Sequence, residues 1–113
     1  MTHDKMKAIK MVDELISFYF KIGITDIQID LQYKEGEIEI SLKGHCLHPP
    51  REELEMLTEV LNAPRQEELE EYYWELVGES DHYQELTLLG SLVDYAEIDY
   101  HKNQLTIKVC RKR

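Results

Sequence analysis

Apolar residues recur at helical spacing over residues 5–22. Ile9, Val12, Ile16 and Tyr19 form one row, and Ala8, Met11, Leu15, Phe18 and Ile22 form another. Lys10, Glu14, Ser17 and Lys21 make the polar stripe between them. Gly23 is placed to stop this helix, because it carries no Cβ to resist a left-handed C-terminal turn. The pattern then changes to strict alternation. In TDIQIDLQY, residues Ile27, Ile29, Leu31 and Tyr33 share one face, and after a turn at Lys34, Glu35 and Gly36 the stretch EIEISLK places Ile38, Ile40 and Leu42 together. This predicts a β-hairpin with one buried and one solvated face.

Residues 44–50 (GHCLHPP) read as a loop, closed by two prolines that bar a continuing strand. Acidic helices are predicted at about 50–61 and 65–77, separated by Asn62, Ala63 and Pro64, and a fourth helix at about 83–93. The segments AEIDY and QLTIKVC, joined through His101, Lys102 and Asn103, form a second hairpin. Ala96, Ile98 and Tyr100 then face Leu105, Ile107 and Val109. The order α-β-β-α-α-α-β-β implies an α+β fold: a two-layer sandwich with a four-stranded, mainly antiparallel sheet and helices on one face. At 113 residues the chain makes one domain, spanning 1–113, with an acidic helical segment at about 50–80.

Charge changes the picture more than composition does. The net charge is −10, and residues 51–85 hold twelve carboxylates against Arg51 and Arg65, which leaves the rest of the chain neutral. Such a field repels nucleic acid and anionic lipid, and the terminal RKR is too short to reverse it. No apolar run reaches the roughly 18 residues of a membrane span. Cys46 and Cys110 have no framework spacing, and the opening MTHDKMKAIK has no signal-type apolar core. A reduced, cytoplasmic setting is expected.

Three local stretches, DELISFYFKIG, the segment after SLK, and YQELTLLGSLVD, together with the element order, resemble the GHKL ATPase domain of histidine kinases, gyrase-type ATPases and anti-sigma-factor kinases. The resemblance covers about residues 8–112. In that family the first helix carries a Glu-Leu-x-x-Asn-Ala-x-Lys pattern whose Asn helps hold magnesium. Here Glu14, Leu15 and Lys21 are kept, but Phe18 stands at the ligand position and Tyr19 follows it. A phenyl ring offers no oxygen donor to a hard cation. The family's Asp-x-Gly-x-Gly motif corresponds to Gly44, Cys46 and His48, so the adenine-binding carboxylate is missing and side chains occupy positions of bare backbone. The Gly-x-Gly-Leu motif corresponds to Tyr83, Glu85 and Leu86, which puts a carboxylate at a helix N-terminus meant for phosphate. The resemblance therefore implies a histidine-kinase-ATPase-like fold whose nucleotide positions (Glu14, Phe18, Lys21, Gly44, Cys46, His48, Tyr83 and Glu85) are vestigial.

Glu14, the family's general-base position, is expected instead to pair with Lys10 or Lys21 as a solvated helix residue. His45, Cys46 and His48 offer only three of the roughly four ligands a structural zinc takes, so they read as an exposed loop and no metal or cofactor is assigned. Cys46 lacks any oxyanion device that would mark it as a nucleophile. The acidic helices carry Tyr72, Tyr73 and Trp74 beside Glu68, Glu71 and Glu75. Three consecutive aromatics cannot all turn inward, and aromatics beside carboxylates anchor partner proteins. The wet hairpin face (Asp26, Gln28, Asp30, Gln32, Glu37, Glu39, Ser41 and Lys43) is too polar for a large apolar interface. The expected function is a non-catalytic, GHKL-like module that has lost ATP binding and acts through its acidic helices on a basic or mixed-charge protein, or by self-association. The alternatives are a divergent ATP-binding protein or kinase using Glu14 and Lys21, and an α+β fold unrelated to that family.

Overall fold

Gly23 ends the first helix by the route its missing Cβ permits. Its φ is +92°. The N–H of Ile24 donates to the Tyr19 carbonyl at 2.9 Å, and the N–H of Gly23 donates to that of Phe20 at 3.0 Å. These are the paired reverse bonds of a Schellman cap. The computed structural model describes residues 4–63 and 85–113, the backbone alone for 85–88. Within these, helix α1 (Asp4–Lys21) leads into β1 (Ile27–Tyr33) and β2 (Glu37–His45). Helices α2 (Arg51–Asn62) and α3 (Glu85–Leu92) follow, and the chain closes with β3 (Tyr95–His101) and β4 (Gln104–Lys112). The helix expected over 65–77 lies outside the described residues.

The four strands form one sheet in the order β1-β2-β4-β3, and every neighbouring pair is antiparallel. Two hairpins are thus joined along β2 and β4. The second hairpin turns in two residues, with Lys102 and Asn103 at φ of 51° and 62°. That is the left-handed pair of a primed turn, which matches strand twist. His101, expected in the turn, instead pairs with Gln104 as the last residue of β3.

One face of the sheet is the core. Ile38, Ile40 and Leu42 of β2 and Leu105, Ile107 and Val109 of β4 are fully buried on it. Each such side chain contributes about 1.5–3 kcal/mol by leaving water. Met11, Leu15 and Phe18 of α1, Leu57 and Leu61 of α2, and Leu89 and Leu92 of α3 pack against them. The opposite face carries Glu37, Glu39, Ser41, Lys43, Thr106 and Lys108 and meets solvent.

Three expectations are corrected. First, β2 runs through Gly44 to His45, so the loop begins at Cys46 rather than at Gly44. Second, α1 does not bury both of its apolar rows. Ile9 is 66% exposed, whereas Lys7 and Glu14 are buried. Third, the inward row of β1 is only partly covered. Ile29, Leu31 and Tyr33 remain exposed although their partners Leu42, Ile40 and Ile38 are buried. The cause of the last two is geometric. The helix lies over β2 with its Met11–Leu15–Phe18 side down, and the edge strand overhangs it.

The C-terminal basic residues also do structural work that sequence did not suggest. Arg111 is wholly buried, and its Nη1 donates to the Leu92 carbonyl at 3.0 Å. Arg113 ties the start of α1 to the first hairpin. Its guanidinium lies 3.5 Å from Asp4 Oδ2 and 4.2 Å from the centre of the Tyr33 ring. Its Nη1 donates to the Lys34 carbonyl at 2.6 Å.

Candidate functional site

Among the described residues at the nucleotide positions, Glu14, Phe18, Gly44 and Cys46 are buried, whereas Lys21 and His48 are exposed. Phe18 is buried among the apolar side chains between α1 and the sheet. Its ring is a packing element rather than a substitute ligand. Glu14, one turn earlier, is buried rather than solvated, and its Oε1 lies 2.8 Å from Lys10 Nζ. Burial works against the Lys10 charge, but the carboxylates of Glu14 and Asp13 outweigh it and hold the ammonium above its ordinary pKa. Lys21 is exposed in the last turn of α1. Glu14 therefore pairs with Lys10 and not with Lys21.

Gly44 must lack a side chain for a packing reason that has nothing to do with adenine. A Cβ there would collide with Ile24 Cγ2 and lie 3.1 Å from Tyr19 Cε2. The Tyr19 hydroxyl, held by the same packing, donates to the Leu42 carbonyl at 2.7 Å and approaches that of Leu105 at 3.2 Å. The capped end of α1 is thereby seated on the two central strands, where the resemblance would have required an open approach to adenine.

Cys46 is buried, whereas His45 and His48 are exposed on either side of it. The Cys46 carbonyl accepts a 2.6 Å hydrogen bond from the Tyr100 hydroxyl, and its N–H donates to the Asn103 carbonyl at 2.8 Å. This pins the loop to the turn of the second hairpin. Among the described residues, no three His, Cys, Asp or Glu side chains are placed to share a metal ion.

The second cysteine sits on the outer face of the sheet. Cys110 is buried there, with its Sγ 2.8 Å from Glu37 Oε2. Burial first, and then the bond to the Glu37 carboxylate, raise its pKa. The neighbouring Tyr95 phenol is pushed up to about 12, chiefly by its hydrogen bond with the Cys110 thiol. A thiol held protonated in this way is a poor nucleophile.

Helix α2 has a different character. Leu57 and Leu61 are fully buried, and they fix one side of the helix on the core. The other side presents Glu52, Glu53, Glu55 and Glu59 to solvent around Met56, which is 56% exposed. Glu52, Glu53 and Glu59 lie four before, three before and three after Met56, so all three are its surface neighbours. The C-terminus of α2 is anchored as well. Asn62 Oδ1 accepts the Ala96 N–H at 2.9 Å, and Asn62 Nδ2 donates to the Thr58 carbonyl at 3.0 Å.

Met56 escaped the sequence reading because an isolated apolar residue in a charged helix is ordinary. Only the orientation set by Leu57 and Leu61 makes it an exposed centre. The partner-binding candidates Glu68, Glu71, Tyr72, Tyr73, Trp74 and Glu75, together with Tyr83 at a nucleotide position, lie outside the described residues, and Glu85 opens α3. No described helix is long and apolar enough to cross a membrane. The chain matches no model of a known protein family and no curated protein sequence.

Proposed function

We propose that this chain is a non-catalytic, GHKL-like module that no longer binds ATP and acts through protein contacts, with its acidic helices recognising a basic or mixed-charge partner. One observation carries this reading: an anchored helix holds exposed glutamates around a protruding methionine. The carboxylates steer a cationic surface toward α2 and favour correct docking over wrong partners. Met56 then supplies an adaptable apolar contact, since its unbranched thioether conforms to many shapes. The loss of nucleotide chemistry is supported by Phe18 in the core, by Gly44 against Tyr19, and by the Lys10 ion pair of Glu14.

Two measurements test this reading together. Thermal unfolding with Mg-ATP at a hundredfold excess over any Kd would reveal about 2.7 kcal/mol of stabilisation if the native state bound it. No shift is expected, and a magnesium-dependent rise in Tm would replace the proposal with a divergent nucleotide-binding protein. Proteins retained from a cell extract by the immobilised chain at low salt should be lost with the Glu53→Lys/Glu59→Lys variant. Equal retention by that variant would remove α2 from the interface.

A further inference from the structure

The two edges of the sheet are treated in opposite ways. At the β3 edge, Asn62 Oδ1 takes up the Ala96 N–H and the Tyr100 hydroxyl fastens the residue 46–47 backbone across the far end. One outward group of this edge is thereby occupied, and Glu97 and Asp99 add charge along it, both of which disfavour pairing with another chain. At the β1 edge, no described element is paired to the outer side of the strand. Nor does the strand carry the usual protections. Residues 27–33 (IQIDLQY) contain no proline, no lysine and one charge, at Asp30.

This edge is also apolar on its helix-side face. Ile29 and Leu31 are each 45% exposed, and Tyr33 is 37% exposed. Lys5 Nζ lies 5.7 Å from the centre of the Tyr33 ring, which fixes the side of α1 that looks toward β1. Ile9, Val12 and Ile16 follow Lys5 along that side at helical spacing. Ile9 is 66% exposed, and the shallow depression it lines is shared with Met6, Lys10 and Asp13 of α1.

We propose that β1 pairs antiparallel with β1 of a second copy of this chain, about a two-fold axis at Leu31. The sheet would then run to eight strands, within the usual range for open sheets. A two-fold axis perpendicular to the sheet keeps both apolar rows on the same face, so the rows join. The register follows from the side chains. With Leu31 opposite Leu31, Ile29 meets Tyr33, Asp30 meets Gln32 and Gln28 meets Lys34. Aromatic-to-β-branched pairs favour a ladder, and no like charges are opposed. Shifting the axis to Asp30 would set two carboxylates against each other.

Charge placement favours the same occupant. Helix α2, which carries the glutamates, is tied through Asn62 to β3 at the opposite edge of the sheet, and residues outside 51–85 carry as many bases as acids. Two copies meeting at β1 keep their α2 carboxylates apart. A basic partner is suited to the exposed glutamates of α2, whereas within β1 it would meet Asp30 alone. The pairing is independent of the α2 reading, and variants in the two elements separate them.

Sedimentation equilibrium of the full chain at sub-millimolar concentration tests the proposal. The expected mass is twice the 13.4 kDa of one chain. Leu31→Lys should return the mass to one chain while circular dichroism stays unchanged, because residue 31 lies at an exposed edge, and Tm should fall only by the concentration-dependent stabilisation that pairing supplies. Met56→Lys should leave the double mass intact. As a second variant, Leu31→Cys should form a disulfide-linked pair under mild oxidation, and Met56→Cys should not, because opposed strand residues meet the distance a disulfide requires. A wild-type chain of single mass, or a doubled mass indifferent to Leu31→Lys, would overturn the proposal. So would cross-linking at residue 56 in place of residue 31.

Discussion

Tyr19 and Gly44 are packed so closely that a side chain on one would displace the other: a β-carbon added at Gly44 lies 3.1 Å from Tyr19 Cε2. The same β-carbon runs into Ile24, the residue that the α1 cap folds back. Gly44 thus belongs to a three-residue joint between the end of α1 and the middle of the sheet. Its place in a broken nucleotide motif is incidental to that role.

Gly44→Ala should therefore cost roughly 1–3 kcal/mol, the usual penalty for overpacking a close contact. Gly36→Ala is the control, since nothing lies within 4 Å of its added β-carbon. That change should stay within about 0.5 kcal/mol of wild type. Urea unfolding of both variants checks the pair. Ile24→Ala combined with Gly44→Ala should recover part of the loss, giving a favourable coupling term, because the two changes share one contact.

The Tyr19 hydroxyl gives a pH-dependent form of the same prediction. Burial penalises its phenolate and raises its pKa well above its ordinary value of 10.0. The neutral phenol is therefore the form that folding favours. Its contribution is complete below the unfolded value near 10.0 and is lost as the pH rises toward the folded value. Alkaline titration followed by phenolate absorbance should show a late phase that coincides with unfolding. Tyr19→Phe should remove that phase, and at neutral pH it should cost about 0.5–1.5 kcal/mol for the lost bond to Leu42. Tyr95, exposed and also raised to about 12, titrates late without unfolding, so it is a Tyr19→Phe protein that keeps the unfolding-linked phase that would place the buried tyrosine elsewhere.

Much of this architecture was legible because local signals agreed with one another. The α1 row of Met11, Leu15 and Phe18, the stop at Gly23 and both alternating hairpins all reappear. What sequence could not supply was the width of cover over the sheet. Alternation showed that Ile29, Leu31 and Tyr33 share a face, but how far α1 reaches over that face depends on where the helix is seated. The seating is set by Tyr19 reaching Leu42 across 23 residues. Arg111 was given no structural part for a similar reason. The last strand was expected to end with QLTIKVC, but β4 continues to Lys112 and its alternation carries Arg111 inward beyond Val109. The motif positions were legible as broken. That Phe18 and Gly44 are core joints follows only from what they touch.

Arg111 is the most consequential of those surprises. Its guanidinium donates to the Leu92 carbonyl in the last turn of α3, where helix carbonyls lack partners and the helix dipole favours a cation. Arg111→Ala removes both that capping bond and the bulk of a fully buried side chain, and should cost about 2–5 kcal/mol. Arg111→Met keeps most of the volume. If the volume dominates, Met should recover more than half of the loss. If the charge and its bonds dominate, Met should resemble Ala. Urea midpoints for the two variants separate these contributions, and a wild-type midpoint for Arg111→Ala would contradict the buried placement.

Asn62 extends this reasoning from the core to the edge. Its Oδ1 holds the Ala96 N–H of β3, while its amide nitrogen returns to Thr58 within α2. One side chain thus joins the end of a helix to the border of the sheet. Asn62→Ala should lower global stability by about 0.5–1.5 kcal/mol, the usual worth of such a bond. The more informative effect is local. Amide exchange at Ala96 should accelerate by more than the global loss accounts for, whereas exchange at Ile107 in central β4 should follow the global change alone. Equal acceleration at both sites would mean that Asn62 supports the whole fold. The expected difference would make it the specific cover of one edge and leave β1 as the edge that another strand can join.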